Sequence, residues 1–276
     1  MKKSVLSMLA VAALVFGMTS CNGAKKTSEE AEKTEEAAVI AGKAPKDLLT
    51  EELKQETIQL LKDMPDSDIP YRLSTGEVKV NVGDIKYMMP VGKAAELSTP
   101  TQKARALGMY MADYNVLKAI GKPTAEVEGV IAKLATDLNV SFVLDILKEQ
   151  APKDATKEQL QAFLNEQEDK IIEKMAAEHK IDAEVEMLGA ASAEYACLVA
   201  NPTLVVEGDA TSAGLSTNME KRVSMLEEVV ADLAAYYPDL KQLGETIAPL
   251  KEKVASIQSA RAANAEIMGI RDALLK

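Results

Sequence analysis

From residue 99 onward the chain carries repeated start and stop signals for α-helices, and these narrow its possible folds more than any other feature. Thr99-Pro100-Thr101-Gln102 combines a capping hydroxyl, a proline at the first helical position and an amide able to complete a capping box. The segment continues through KARALGMYMADYNVLKAI to Gly121, a natural left-handed cap, with Pro123 beyond it. Thr124 opens a further helix with Val127, Val130, Ile131, Leu134 and Leu138 along one stripe. Ser141 caps a short helix reaching Gln150, which Pro152 ends. Thr156-Lys157-Glu158-Gln159 is a second capping box, opening a long helix to about His179. Asp182 is positioned to cap the next, which ends at Asn201-Pro202. Glu207 to Thr217 reads as an exposed loop, followed by a helix from about Asn218 that Pro238 closes. Asp239 to Leu275 reads as helical throughout, except that Pro249 must kink or divide it.

Ahead of this region, Leu49, Leu53, Leu60, Leu61 and Met64 recur at helical spacing between Asp47 and about Asp63, and Pro65 stops that helix. The one strand signal is the segment 71–88. There Val78, Val80 and Val82 alternate with polar residues, and Gly83-Asp84 suits a tight turn into Ile85, Lys86 and Tyr87. Such a hairpin would pair Val82 with Ile85 and Val80 with Tyr87, and it needs a helical surface to lie on. Only 4% of residues are aromatic, with no Trp, in a chain rich in Ala, Leu, Glu and Lys, a balance that favours helix over sheet. Helix and loop lengths do not repeat at a fixed period, which argues against a solenoid.

The amino-terminal stretch MKKSVLSMLAVAALVFGMTSC addresses location. Lys2 and Lys3 are followed by an apolar run over Val5–Met18, then by Thr19, Ser20 and Cys21. The run is short for a membrane span, which needs roughly 20 residues. The order resembles a bacterial lipoprotein signal, with Met18 where leucine is usual. That resemblance implies cleavage before Cys21, acylation of its sulfur (palmitate or a similar chain), and a protein exported and anchored to the outer membrane on its periplasmic or cell-surface side. An ordinary signal cut beside an incidental cysteine is the alternative. The polar stretch from Asn22 to about Ala44 lacks a sustained apolar face and reads as a flexible tether spanning roughly 25–30 Å. Its Glu29, Glu30, Glu35 and Glu36 loosely resemble the acidic signals that send Bacteroidota lipoproteins to the cell surface, and they read equally well as a solvated spacer. The expected organisation is therefore a signal at 1–20, lipidated Cys21 with an acidic tether over 21–44, and a helical domain over 45–276. The expected fold class is all-α: an irregular multi-helix bundle with a small β-hairpin accessory.

The segment KARALGMYMAD is similar to a motif of uncharacterised Bacteroidota lipoproteins in which an L-G-x-Y-x-A-D pattern lies early in a helix. Leu107, Gly108, Tyr110, Ala112 and Asp113 fill its fixed places. Looser resemblances lie at Val130–Val140, with Asn139 in place of glycine, at Gly189–Cys197, with Cys197 in place of tyrosine, and at Leu233–Tyr236. The resemblance implies an exported helical bundle and supplies no reaction.

A formal net charge of −11 disfavours nucleic acid and anionic head groups as partners. Cys197, inside the apolar run ASAEYACLVA, reads as a buried small hydrophobe, the alternative being an intermolecular disulfide. His179 is the only histidine and is flanked by charge. The chain shows no nucleophile elbow, no clustered His or Cys for a metal and no phosphate loop, so neither an enzyme nor a cofactor is expected. The residues that stand out are acids embedded in apolar helix. Asp113 follows Met109 to Ala112, with Tyr110 and Tyr114 four apart, and Glu194 precedes Tyr195 in a run of small residues. A carboxylate buried there must find donors or stay protonated. Either these acids accept from a tyrosine, an arginine such as Arg105, or a helix end, or together with Tyr110, Tyr114 and Tyr195 they line a ligand cavity. The function expected is a non-catalytic, membrane-anchored envelope module that binds another protein. The alternative is a carrier or sensor of a small apolar or amphipathic ligand held between helices.

Overall fold

The computed structural model describes residues 48–65, 68–80 and 87–276, all within one unit, Ala44–Lys276. Cys21, the signal and the tether lie outside the described residues.

The helix that organises the rest is Ile181–Ala200, in which every residue except Asp182, Ala183 and Ala191 is buried. A helix apolar on all sides must be covered on all sides. In chain order the α-helices are α1 Glu51–Lys62, α2 Ile69–Thr75, α3 Pro100–Ala119, α4 Ala125–Asp137, α5 Phe142–Lys148 and α6 Lys157–Ala177. They continue as α7 Ile181–Ala200, α8 Asp209–Leu233, α9 Asp239–Ile247, α10 Leu250–Lys253, α11 Ile257–Ala262 and α12 Asn264–Ala273. The central helix α7 touches α3, α6, α8, α9, α11 and α12. Its most extensive partner is α3, and the two meet at Gly108, where a Cβ would lie 2.0 Å from the Met187 carbonyl oxygen. Gly108, the glycine of the L-G-x-Y-x-A-D segment, is thus the point of closest approach of the two main helices.

Both expected capping boxes are present. Thr99 accepts from Gln102 N and Thr156 from Gln159 N, and each glutamine amide returns to the cap backbone. Gly121 takes the left-handed conformation after α3, with φ 68°. Asn139 does the same after α4 (φ 56°), at the place where glycine is usual, because asparagine tolerates that region better than other side chains.

Several boundaries differ from expectation. The first helix begins at Glu51, because Thr50 caps it by accepting from Leu53 N. Lys180, not Asp182, precedes α7, and Asp182 lies in the first turn, where its charge meets the positive end of the helix dipole. The expected loop 207–217 is helical from Asp209, with Leu215 and Ser216 buried. Its small residues permit close packing, since a Cβ on Gly214 would stand 3.1 Å from the Arg72 guanidinium. The segment after Pro238 divides at Pro249 as expected, and again at Val254–Ser256 and Ala263, Ser256 capping α11 by accepting from Ser259 N.

The β element is also rearranged. Tyr71–Thr75 belongs to α2, which Gly76 ends with φ 77°. Strand β1 (Val78–Lys79) pairs antiparallel with β2 (Val205–Val206), Val78 opposite Val206. The local hairpin would have set Val78 against Met89, but the Met89 N–H is taken by Asp113 Oδ2 at 2.9 Å. The expected turn at Gly83-Asp84 lies outside the described residues. Among the described residues no helix is long and apolar enough to cross a membrane.

Candidate functional site

The acids that stand out in the sequence do meet. The contacts Arg105–Glu186, Gly108–Met187 and Asp113–Glu194 advance in the same direction along α3 and α7, so these helices run parallel. Asp113 and Glu194 are both buried. Their cation is Arg271 of α12, whose Nη1 lies 3.5 Å from Glu194 Oε1 and donates to the Tyr87 carbonyl at 2.8 Å. Its Nε and Nη2 donate to Asp272 Oδ1. Burial first, and the charge of Glu194 second, push the Asp113 carboxyl well above its ordinary range. Burial also raises Glu194, against the pull of Arg271 and of its bond to Asp113. Glu194 Oε2 is buried with no hydrogen-bond partner among the described residues when both acids are ionised. A proton kept on Asp113 supplies the donor this pair needs. The arrangement is a lock of the Asp113 and Glu194 carboxyls and the Arg271 guanidinium, with the exposed Asp272 at the outer edge of that guanidinium, joining α3, α7, α12 and the segment 87–89.

Tyr110 and Tyr114 direct their hydroxyls away from that lock. Tyr110 OH donates to the Pro90 carbonyl at 2.8 Å, and Tyr114 OH to the Leu147 carbonyl at 3.4 Å. Tyr195 lines a separate cavity. Arg105 is not the partner of either acid. It grips Glu186 with Nε at 2.6 Å and Nη2 at 3.3 Å, two helical turns before Asp113, and donates through Nη1 to the Leu274 carbonyl. Sequence reasoning misses Arg271, although it continues the buried stripe of Ile267 and Leu274 at helical spacing, a position where an arginine needs a buried acid. Cys197 is fully buried and its thiol is raised by that burial, which makes it inert packing.

The cavity at Tyr195 holds the residue that sequence reasoning does not single out. It lies among α3, α6, α7 and α8, has a volume of about 90 Å³, and is walled by carbon from Met111, Leu147, Leu164 and Leu188. Glu184 stands in its wall at 1% exposure, and its Oε2 is buried without a hydrogen-bond partner among the described residues. The other charged lining groups are Glu168 and Arg222, accompanied by Asn115 and Gln167. Arg222 is engaged elsewhere: Nη2 donates to Glu168 at 2.7 Å, Nε to Ser192 Oγ at 3.0 Å and Nη1 to the Pro65 carbonyl at 2.9 Å. Burial, with a smaller push from Glu168 and a counter-pull from Arg222, raises Glu184 to about 8.

This has a measurable consequence. The folded pKa of Glu184 stands above the ordinary 4.5, so its contribution to stability is complete below about pH 4.5 and is lost as the pH rises through about 8. Glu184→Gln carries no titrating proton there. In urea unfolding it should gain on the parent by on the order of a few kcal/mol between about pH 5 and pH 8.5. Parallel pH profiles for the two proteins would mean that Glu184 is solvated.

A second concavity is an open cleft of about 360 Å³ at the starts of α3 and α7 and the α8–α9 corner, lined by Leu138, Tyr236, Tyr237 and Pro238. Of its three acids, Glu186 is held by Arg105 and Asp239 Oδ2 accepts from Thr101 Oγ1 at 3.1 Å, while Asp182 lies in the first turn of α7. Among the described residues no group of three His, Cys, Asp or Glu side chains is placed to hold a metal ion. No protein-family model matches the chain, and no curated protein or solved structure matches it either.

Proposed function

We propose that this chain is a lipid-anchored envelope protein that binds a small ligand between its helices without transforming it. The observation that carries the reading is Glu184: a fully buried carboxyl lining a cavity, with one oxygen left without a hydrogen-bond partner among the described residues, whereas Glu194 has Asp113 and Arg271 beside it and Glu186 has Arg105. A buried polar atom without a partner costs roughly 1–3 kcal/mol, and a ligand that supplies the donor recovers it. The large apolar side chains exposed among the described residues, Leu48, Val91 and Val205, give little support to an apolar protein-docking face. The test is native mass spectrometry of protein purified gently from envelopes. Ala191→Leu, which fills the cavity wall, should lose the co-purifying ligand while keeping the parent's near-ultraviolet circular dichroism. A ligand retained by the filled variant would defeat the reading.

The open cleft favours a second reading, in which Tyr236 and the neighbouring acids receive a basic side chain of an envelope protein. Tyr236→Ala should then abolish crosslinking to that protein and spare the cavity.

Anchoring is tested separately. The basic, apolar and small residues ahead of Cys21 lead to the expectation that Cys21→Ser abolishes acylation and moves the protein out of the membrane fraction. A variant still membrane-bound, with an uncleaved amino terminus, would show that the sulfur is not the anchor.

A further inference from the structure

We propose that the Glu184 cavity is a site for a small organic monocation, the ammonium group of a short alkylamine, held by the Glu184 carboxylate with its alkyl part against the carbon walls. The proposal rests on the ligand-binding reading above and specifies its chemistry. Three observations lead to it. The charged groups lining the cavity are two carboxylates, Glu168 and Glu184, against one guanidinium, Arg222. Arg222 pulls on Glu184 across the cavity, but its hydrogen bonds to Glu168, Ser192 and the Pro65 carbonyl leave the Glu184 carboxyl to meet a cationic guest, which would replace its proton. Glu184 Oε2 lacks a donor, and an ammonium brings three.

The walls decide between kinds of cation. Hard metal cations need about six or more oxygen ligands. Met111, Leu147, Leu164 and Leu188 offer carbon, and Tyr195 an aromatic ring in the same wall. The volume of about 90 Å³ limits the guest. An apolar cavity of about 150 Å³ admits benzene, so the guest here is a smaller molecule of a few heavy atoms. An anion would stand beside the Glu184 carboxyl with no free cation to pair with, since Arg222 holds Glu168. A neutral alcohol would supply a donor and leave Glu184 protonated, without the ion pair.

Binding has a proton balance. Without a guest, below about pH 8, Glu184 holds its proton. An alkylammonium entering as the cation displaces that proton, giving the carboxylate–ammonium pair and one proton released to solvent. The groups facing Glu184 are Glu168 from α6, Arg222 from α8, Asn115 from α3 and Tyr195 from its own helix. Of these, Glu168 and Arg222 remain paired throughout.

The experiment is calorimetric titration of the full chain with ethylammonium chloride, ethanol and sodium acetate at about pH 6, 7 and 8. Affinity for ethylammonium should rise about tenfold from pH 6 to 7 with about one proton released, and less steeply towards pH 8, where about half a proton is released. Ethanol should bind more weakly without a pH slope, and acetate should not bind. Glu184→Gln should weaken ethylammonium at least tenfold at pH 8, the exposed control Glu228→Gln should match the parent, and Ala191→Leu should lose both ligands. Ethanol binding equal to ethylammonium and lost in Ala191→Leu would reject the cation and leave the ligand cavity standing. Ethylammonium binding untouched by Ala191→Leu, or absent altogether from a cavity holding only water, would overturn both.

Discussion

Gly108→Ala is expected to destabilise the fold by about 3 kcal/mol or more, the upper range for overpacking. The new methyl would stand 2.0 Å from the Met187 carbonyl oxygen and 2.7 Å from its carbon, both backbone atoms of a helix that has neighbours on every side. A flexible side chain can turn away from an intruding methyl. A central helix cannot, so α3 and α7 must separate, and the Arg105–Glu186 and Asp113–Glu194 contacts on either side of the crossing stretch with them. The contrast lies in Gly129 and Gly269, helical glycines where an added Cβ would meet nothing within 4 Å. Alanine at either should stabilise by about 0.5–1 kcal/mol through helix propensity alone. Chemical denaturation of the three variants checks this. Equal effects at Gly108 and Gly129 would mean that α3 and α7 do not touch at Gly108.

Arg271→Met should cost about 3–5 kcal/mol, the range for stripping one partner from a buried ionic group. Methionine keeps most of the length and apolar stem, so the loss is chiefly the cation and its donations to the Tyr87 carbonyl and Asp272. The size of the loss should depend on pH in a definite direction. Without Arg271 the folded pKa of Glu194 rises further, so the folded state must hold a proton that the unfolded chain has released by about pH 5. With Arg271 in place Glu194 stands at about 7, so the penalty should be level below about pH 6 and should grow as the pH rises through 7. Adding Glu194→Gln to Arg271→Met should recover part of it by removing the stranded charge. A penalty independent of pH would show that the pair is not ionised.

How much of this is readable from the chain varies by element, and for physical reasons. Helices announced by side chains that bond their own backbone, as at Thr99-Gln102 and Thr156-Gln159, are legible because the signal and the structure are the same local interaction. The segment 207–217 reads as loop because Gly, Ser and Thr carry weak helix propensity. Its helix exists through packing of Leu215 and Ser216, a tertiary effect invisible in the window. The strand signal at Val78 is real, but its partner at Val206 lies too far along the chain for any hairpin rule. Asp113 and Glu194 stand out as acids in apolar surroundings, and the structure places them together. Their partner Arg271 comes from another helix, and only three-dimensional proximity identifies it. Glu184 escapes notice because Asp182, Glu184 and Glu186 look like the ordinary acidic opening of a helix. Only the burial of α7 on all sides separates Glu184 from a solvated residue.

The parallel run of α3 and α7 also constrains the order in which the molecule can be assembled. Arg105 donates to Glu186 and to the Leu274 carbonyl, and Gln102 to the carbonyls of Leu275 and Lys276. Asp113 and Glu194 can be brought together once residue 200 has been made, but the guanidinium that neutralises them arrives only with α12. A nascent chain lacking its last helix would hold two acids facing each other across apolar helices with no cation between them. Loop closures of this length are entropically slow, and the intermediate they pass through is electrostatically unfinished. The start of α3 is therefore fixed only once α12 has docked.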